Sequence, residues 1–268
     1  MGLNGLANVN IELTSRCNKD CWMCGRRQRD RERGDQEYGD MPMALVESIA
    51  KQIPGGISVQ LHNNGEPLLY PGFGLVLYYF EKHITNIVTN GKLLTEIKFQ
   101  LVGNGIIPPL DTMSVSVFEG DPEQGEQLAI LKEFLQYKGD RKPYTTARLI
   151  GKVDPAPYEA LGLQIVKRTL HKPQGSVFYR REAVIPEVGY CWDLFTRIAI
   201  DRWGLVSVCV RYDPDGELVI GDLAEESLED IWNGYKRKQL LEKHIAGKRN
   251  ELPYCGKKCH YWGIPIGS

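Results

Sequence analysis

Apolar and polar residues alternate over Ala7 to Leu13, Ile57 to Leu61 and Thr112 to Phe118, turn-forming residues follow these runs, and a fourth, shorter run, Asn86 to Thr89, is stopped by Asn90 and Gly91. A period of two puts successive side chains on opposite faces of a strand, so the four runs predict four strands. Helices are expected between them, over Pro42 to Gln52, Phe73 to His83 and Leu93 to Leu101, with another over Glu123 to Tyr137. Thr145 to Val153 and Leu163 to Leu170 supply a fifth and a sixth strand around a short helix near Pro157 to Leu161. Six alternating β/α units imply parallel strands, and the expected class is α/β, an open partial (β/α)6 barrel.

The rhythm ends at about Lys172. Pro173, Gly175, Pro186 and Gly189 punctuate the stretch to Gly189, which carries no strong period and reads as a link. Beyond it, Arg197 to Cys209 reads as a β-hairpin turning near Trp203 and Gly204, and Leu228 to Ile245 as one helix behind an acidic, cap-like segment. The expected division is a barrel over residues 1–171 and a small α+β module over 172–268.

Hydrophobic residues at 42% and charged residues at 25% supply ordinary core and surface material, so disorder is not expected. The net charge of -1 argues against a general grip on nucleic acid, which needs a basic face. The densest basic run, Arg26 to Arg33, mixes signs and reads as a solvated loop. No apolar stretch approaches the roughly eighteen residues of a membrane span, and no secretory signal is evident, so a cytoplasmic protein without membrane contact is expected.

Seven cysteines fall into two sets. Cys17, Cys21 and Cys24 form a C-x3-C-x2-C triplet after the first strand, while Cys191, Cys209, Cys255 and Cys259 cluster towards the carboxyl end. The odd count and tight spacing favour reduced, metal-binding thiols over disulfides. Three thiolates can hold three irons of a four-iron cluster and leave the fourth iron open. Zinc remains the alternative for both sets, the triplet then needing a fourth ligand such as His62. His83, His171, His244 and His260 have no partner at ligand spacing, although His171 is placed to face a substrate.

Asn64, Gly65, Glu66 and Pro67 follow the second strand, at the rim that holds the triplet. Triplet and loop together resemble the radical S-adenosylmethionine (SAM) enzymes, over roughly Asn8 to His171. The resemblance implies a [4Fe-4S] cluster on Cys17, Cys21 and Cys24, completed by SAM, with Asn64, Gly65 and Glu66 lining the cofactor site. The family loop more often begins with two glycines, where this chain has Asn64 and Gly65. Trp22 matches an aromatic position that packs near the adenine, and Asn90, Ser116 and Arg148 match positions that often contact the ribose or carboxylate.

The second cysteine set resembles the SPASM and shorter "twitch" extensions of the same family: a C-x12-G-x4-C element, then Ile220 to Leu223, the Ser227 to Trp232 helix start and a final cysteine pair. The pair is C-x3-C where C-x2-C is more usual. Four cysteines complete one auxiliary [4Fe-4S] cluster on Cys191, Cys209, Cys255 and Cys259, which fits the single-cluster module.

The implied activity is reductive cleavage of SAM to methionine and a 5'-deoxyadenosyl radical that abstracts hydrogen from substrate, with the auxiliary cluster taking a second electron. Family members with this extension and size oxidise small alcohols, which makes dehydrogenation of a small alcohol or carbohydrate the leading expectation. A reductase such as flavodoxin or ferredoxin is the implied electron donor. Tyr179, Arg180 and Arg181 are candidates to orient the substrate. The alternatives are a maturase that modifies a peptide side chain, for which the chain leaves little room before its first strand, and a non-catalytic zinc or iron-sulfur module.

Overall fold

The computed structural model describes residues 2–26, 30, 34, 37–168, 191–210, 213 and 216–257. The link from Lys172 to Gly189, with Tyr179, Arg180 and Arg181, lies outside them, as do His171, Cys259, His260 and most of the Arg26 to Arg33 run.

Six parallel strands come first: β1 (Asn8–Ile11), β2 (Ser58–Gln60), β3 (Ile84–Thr89), β4 (Thr112–Phe118), β5 (Tyr144–Ile150) and β6 (Gln164–Arg168). They lie side by side in sequence order, so each β/α unit moves the chain one place along the sheet. The helices are α1 (Met43–Gln52), α2 (Phe73–Tyr79), α3 (Lys98–Val102), α4 (Gln124–Lys138) and α5 (Ala156–Glu159).

The strand period separates two chemistries. Val9, Ile11, Val59, Ile87, Met113, Val115, Val117, Ala147 and Leu149 are buried in the hydrophobic core, together with Val46 and Ile49 of α1, Val76 and Leu77 of α2, and Leu131 and Phe134 of α4. The alternate positions are polar: Asn10, Gln60, Asn86, Ser114 and Arg148 line one cavity together with Val166 of the last strand. Since first and last strands face one space, the sheet curves as a partial barrel.

The barrel sheet continues past its first strand. The strand β7 (Arg197–Ile200) pairs in parallel with β1, Val9 lying opposite Ile198, and β8 (Leu205–Ser207) and β9 (Val219–Asp222) follow antiparallel. The predicted hairpin is present and is rooted on the barrel. Gly204, at its turn, has φ of +97°, a left-handed conformation that favours glycine.

The carboxyl-terminal segment also holds α6 (Trp192–Thr196), α7 (Leu228–Asn233), α8 (Tyr235–Ile245) and α9 (Pro253–Lys257). One helix was expected over Leu228 to Ile245, and the structure breaks it at Gly234. That residue is extended, with ψ of 164°, and a Cβ there would lie 3.0 Å from the Asp230 carbonyl. The break lets the Arg237 guanidinium stack on the Trp232 ring, 3.3 Å from its centroid, while donating to the Trp232 and Phe195 carbonyls. The Trp232 indole donates to the Asn4 carbonyl at 3.0 Å, tying the module to the amino terminus. Among the described residues no helix is long and apolar enough to cross a membrane.

Candidate active site at the carboxyl ends of the strands

The loop after β1 carries the triplet, and the loop after β2 lies directly on it. Gly65 has φ of +75°, and a Cβ would stand 2.3 Å from the Thr14 carbonyl oxygen and 2.7 Å from that of Arg16. The next amide, Glu66 N–H, donates to the Arg16 carbonyl at 2.7 Å. Only glycine allows this approach, which holds the second loop against the triplet.

Glu66 is 2% exposed, and its carboxylate accepts from Thr89 Oγ1 and the Asn90 amide, each at 2.7 Å, and from the Leu68 amide at 3.2 Å. It joins the β2 and β3 loops, so its charge serves the scaffold. Burial pushes its carboxyl up to about 7, against the lowering pull of these hydrogen bonds. Asn90 then reaches the triplet: its Nδ2 donates to Asn18 Oδ1 at 2.8 Å and lies 3.9 Å from Cys17 Sγ. Asn64 turns the other way, donating from Nδ2 and backbone N–H to Glu12 at 2.8 and 3.2 Å. Burial pushes the Glu12 carboxyl up to about 7 as well.

Cys17, Cys21 and Cys24 line a cavity of about 760 Å³ with Gly65, Glu66, Asn90, Ser116 and Arg148. Ser116 and Arg148 sit opposite each other in the β4–β5 register. Trp22 is set apart from this group, 39% exposed, its indole donating to the Glu119 carbonyl at 3.2 Å. The cavity therefore brings together every predicted cofactor-site residue except Trp22.

Two of the triplet thiols, Cys17 and Cys21, are poor acids without metal. Burial pushes Cys21 up to about 12, with Cys24 as a nearby like group, and burial also raises Cys17. Three grouped thiols in such a setting need a cation to become thiolates. Their donor chemistry, and a glycine cradle that a methyl group would fill, fit a cysteine-bound cluster with a small ligand beside it. Among the described residues, no three His, Cys, Asp or Glu side chains converge as they would around a single metal ion.

The second set has its own chamber. Cys191, Cys209 and Cys255 line a small apolar cavity with Leu194, Val208, Leu218 and Leu240. His244 also lines it at 2% exposure, and its Nδ1 accepts the Cys191 backbone N–H at 3.2 Å. Burial, then the charge of Arg249, lowers His244 to about 4, so the ring is neutral near neutral pH. Cys209 and Tyr254 also line the large cavity, so the two chambers share a wall.

The SPASM iron-sulfur cluster-binding domain family matches residues 191–260, a range that spans the whole second cysteine set. Over 260 residues, 92% of this chain and 91% of the relative, the chain is 30% identical to the S-adenosyl-L-methionine-dependent 2-deoxy-scyllo-inosamine dehydrogenase of Niallia circulans. The chain belongs to the radical SAM enzymes. Two solved structures share its fold. The crystal structure of BtrN in complex with AdoMet and 2-DOIA is 18% identical with a TM-score of 0.57, across 96% of this chain and 97% of that one. Native anSMEcpe with bound AdoMet is 13% identical with a TM-score of 0.63, across 94% and 89%. The cofactors of this radical SAM enzyme are [4Fe-4S] clusters and SAM.

Three residues of the site escaped the sequence reading, and a fourth, His62, figures in it only as a spare zinc ligand. Glu12 supports Asn64, and Lys19, 7% exposed between two triplet cysteines, pairs with Asp121 of the β4 loop. His62 accepts the Val88 amide at 3.1 Å through Nδ1 and is held neutral, lowered to about 3 by burial and then by Arg148. His244 sits beside the second cysteine set. The signal available at His244 was its spacing, three and four residues after Leu241 and Leu240, which puts it on the apolar face of a helix.

Proposed function

We propose that this radical SAM enzyme dehydrogenates a small polar alcohol, of the aminocyclitol or carbohydrate class, to a carbonyl compound. In this reading Cys17, Cys21 and Cys24 hold the SAM-binding cluster, while Cys191, Cys209, Cys255 and Cys259 hold one auxiliary cluster. Asn64, Gly65, Glu66, Asn90, Ser116 and Arg148 form the SAM site, and Trp22 flanks it. The barrel comprises residues 1–171 and the auxiliary module 172–268, and a flavodoxin- or ferredoxin-type protein supplies the electron.

The observation that carries the reading is the shared wall. Cys209 borders both the apolar auxiliary chamber and the 760 Å³ cavity that contains the triplet. When bound, the cofactors would supply a 5'-deoxyadenosyl radical to take one hydrogen atom from the carbinol carbon and a second cluster to accept the remaining electron, the hydroxyl proton passing to solvent. The chain's own residues confine and orient. Neutral polar groups such as Asn10, Gln60, Asn86 and Ser114 suit hydroxyl groups by mutual hydrogen bonding, and the similarity to an inosamine dehydrogenase supports a substrate of that size.

Anaerobically reconstituted protein, incubated with reductant, SAM and a panel of aminocyclitols and sugar alcohols deuterated at the carbinol carbon, is expected to release deuterated 5'-deoxyadenosine and a carbonyl product. Deuterium transfer from a peptide side chain and from none of the alcohols would replace this reading with peptide modification. No SAM cleavage, with zinc in place of iron, would overturn catalysis altogether.

A further inference from the structure

His244 has two ring nitrogens, and among the described residues only one is engaged. Nδ1 accepts the Cys191 N–H at 3.2 Å, which requires a lone pair there and leaves the ring proton on Nε2. The ring is 2% exposed, and Nε2 is buried without a hydrogen-bond partner among the described residues. A buried N–H left unsatisfied is costly, because it has given up its bond to water and gained none. The ring borders the chamber lined by Cys191, Cys209 and Cys255, whose remaining surface is almost wholly apolar.

We propose that His244 donates its Nε2–H to a sulfur of the auxiliary cluster held by Cys191, Cys209 and Cys255, and thereby raises the reduction potential of that cluster. The proposal rests on the auxiliary-cluster reading above. A donor aimed at a cluster sulfur favours the reduced, more negative state, because the added electron density lies largely on sulfur. For a cluster that must accept an electron from substrate, that is the useful direction. The Nδ1 contact gives the ring a second task, to fix its own orientation through the ligand's backbone. Imidazole thus acts as a hydrogen-bonding neighbour and is not itself an iron ligand.

Two measurements test this. In the full chain carrying C17A, C21A and C24A, only the auxiliary cluster remains, with about four irons expected. Its midpoint potential is read by redox titration followed by electron paramagnetic resonance, alone and with H244L or H244Q added. Leucine removes the donor, and the potential is expected to fall by at least the equivalent of tenfold in the one-electron equilibrium, about 59 mV. Glutamine restores an N–H at similar reach, and most of the loss should return. The second measurement needs no substitution at 244: with histidine labelled by nitrogen-15, pulsed resonance of the reduced cluster should detect a weak coupling to one ring nitrogen.

An unchanged potential in H244L with full iron, or the absence of any histidine coupling, overturns the proposal alone. A strong coupling also overturns it, by making His244 a ligand. If H244L loses its cluster, the labelled protein decides by the same criterion. Absence of iron from the triple variant itself overturns the auxiliary-cluster reading together with the proposal.

Discussion

A single methyl group separates Gly65 from alanine, and the site has no room for it. The added carbon would stand 2.3 Å from one backbone oxygen and 2.7 Å from another, neither at the end of a flexible side chain, and alanine would also be held at φ of +75°. Left-handed strain alone is about 1–2 kcal/mol, and the collision must be relieved by moving the loop off the triplet. G65A is therefore expected to lower SAM cleavage at least tenfold and to weaken SAM binding, while iron at the auxiliary set stays unchanged. Wild-type rates of 5'-deoxyadenosine formation in G65A would remove the close approach from the mechanism. Gly65 was legible because a glycine before an acid and a proline, beside a cysteine triplet, is a local signal. The work of Glu66 was not, since its partners Thr89 and Asn90 lie on another loop and only folding brings them in. His244 was missed for the same reason: its partner is the amide of Cys191, far away in sequence.

Elements were legible where the period was clean and the partner adjacent. Thr112 to Val117 alternates without a fault, and β4 runs from Thr112 through Phe118. The helix expected over Leu228 to Ile245 failed at Gly234, because apolar positions recur on both sides of the break and mask it. The parallel pairing of β7 with β1 had no signature either, since register between distant strands is not a local property. One element contact gives a clean test. Gly221 of β9 faces Ile231 of α7 so closely that a Cβ would lie 2.5 Å from Ile231 Cγ1 and 2.9 Å from its other two outer carbons. With Ile231 itself 1% exposed, the side chain has little space into which to retreat. Overpacking of this kind costs about 1–3 kcal/mol. G221A should lower the thermal midpoint and the iron held by the carboxyl-terminal cysteines, and I231V in the same chain should recover part of both losses. Equal midpoints for G221A and wild type would mean that β9 and α7 are free to separate.

At the scale of the whole molecule, the auxiliary module is both fastened to the barrel and open to its cavity. The fastening joins backbone pairing of β7 along β1 to two side-chain bonds, Trp232 Nε1 and Asn233 Nδ2 donating to the carbonyls of Asn4 and Gly2. None of these contacts uses a cysteine side chain, so removing the thiols should leave the sheet and the triplet site in place. The opening is chemical, through Cys209 and Tyr254. These two facts make the roles of the cysteine sets separable. A chain with Cys191, Cys209, Cys255 and Cys259 changed to alanine should fall from about eight irons to about four and still cleave SAM. Hydrogen abstraction should persist, but the substrate radical would have lost its electron acceptor. Carbonyl product should therefore fall at least tenfold relative to 5'-deoxyadenosine, which keeps the deuterium, and alcohol should be recovered with hydrogen in its place, the radical being quenched by an electron from the reductant and a solvent proton. Product and 5'-deoxyadenosine falling together would instead make the second cysteine set a support for the barrel. An unchanged ratio would mean that the second electron leaves by another route, and the wall shared at Cys209 would then have no part in the oxidation.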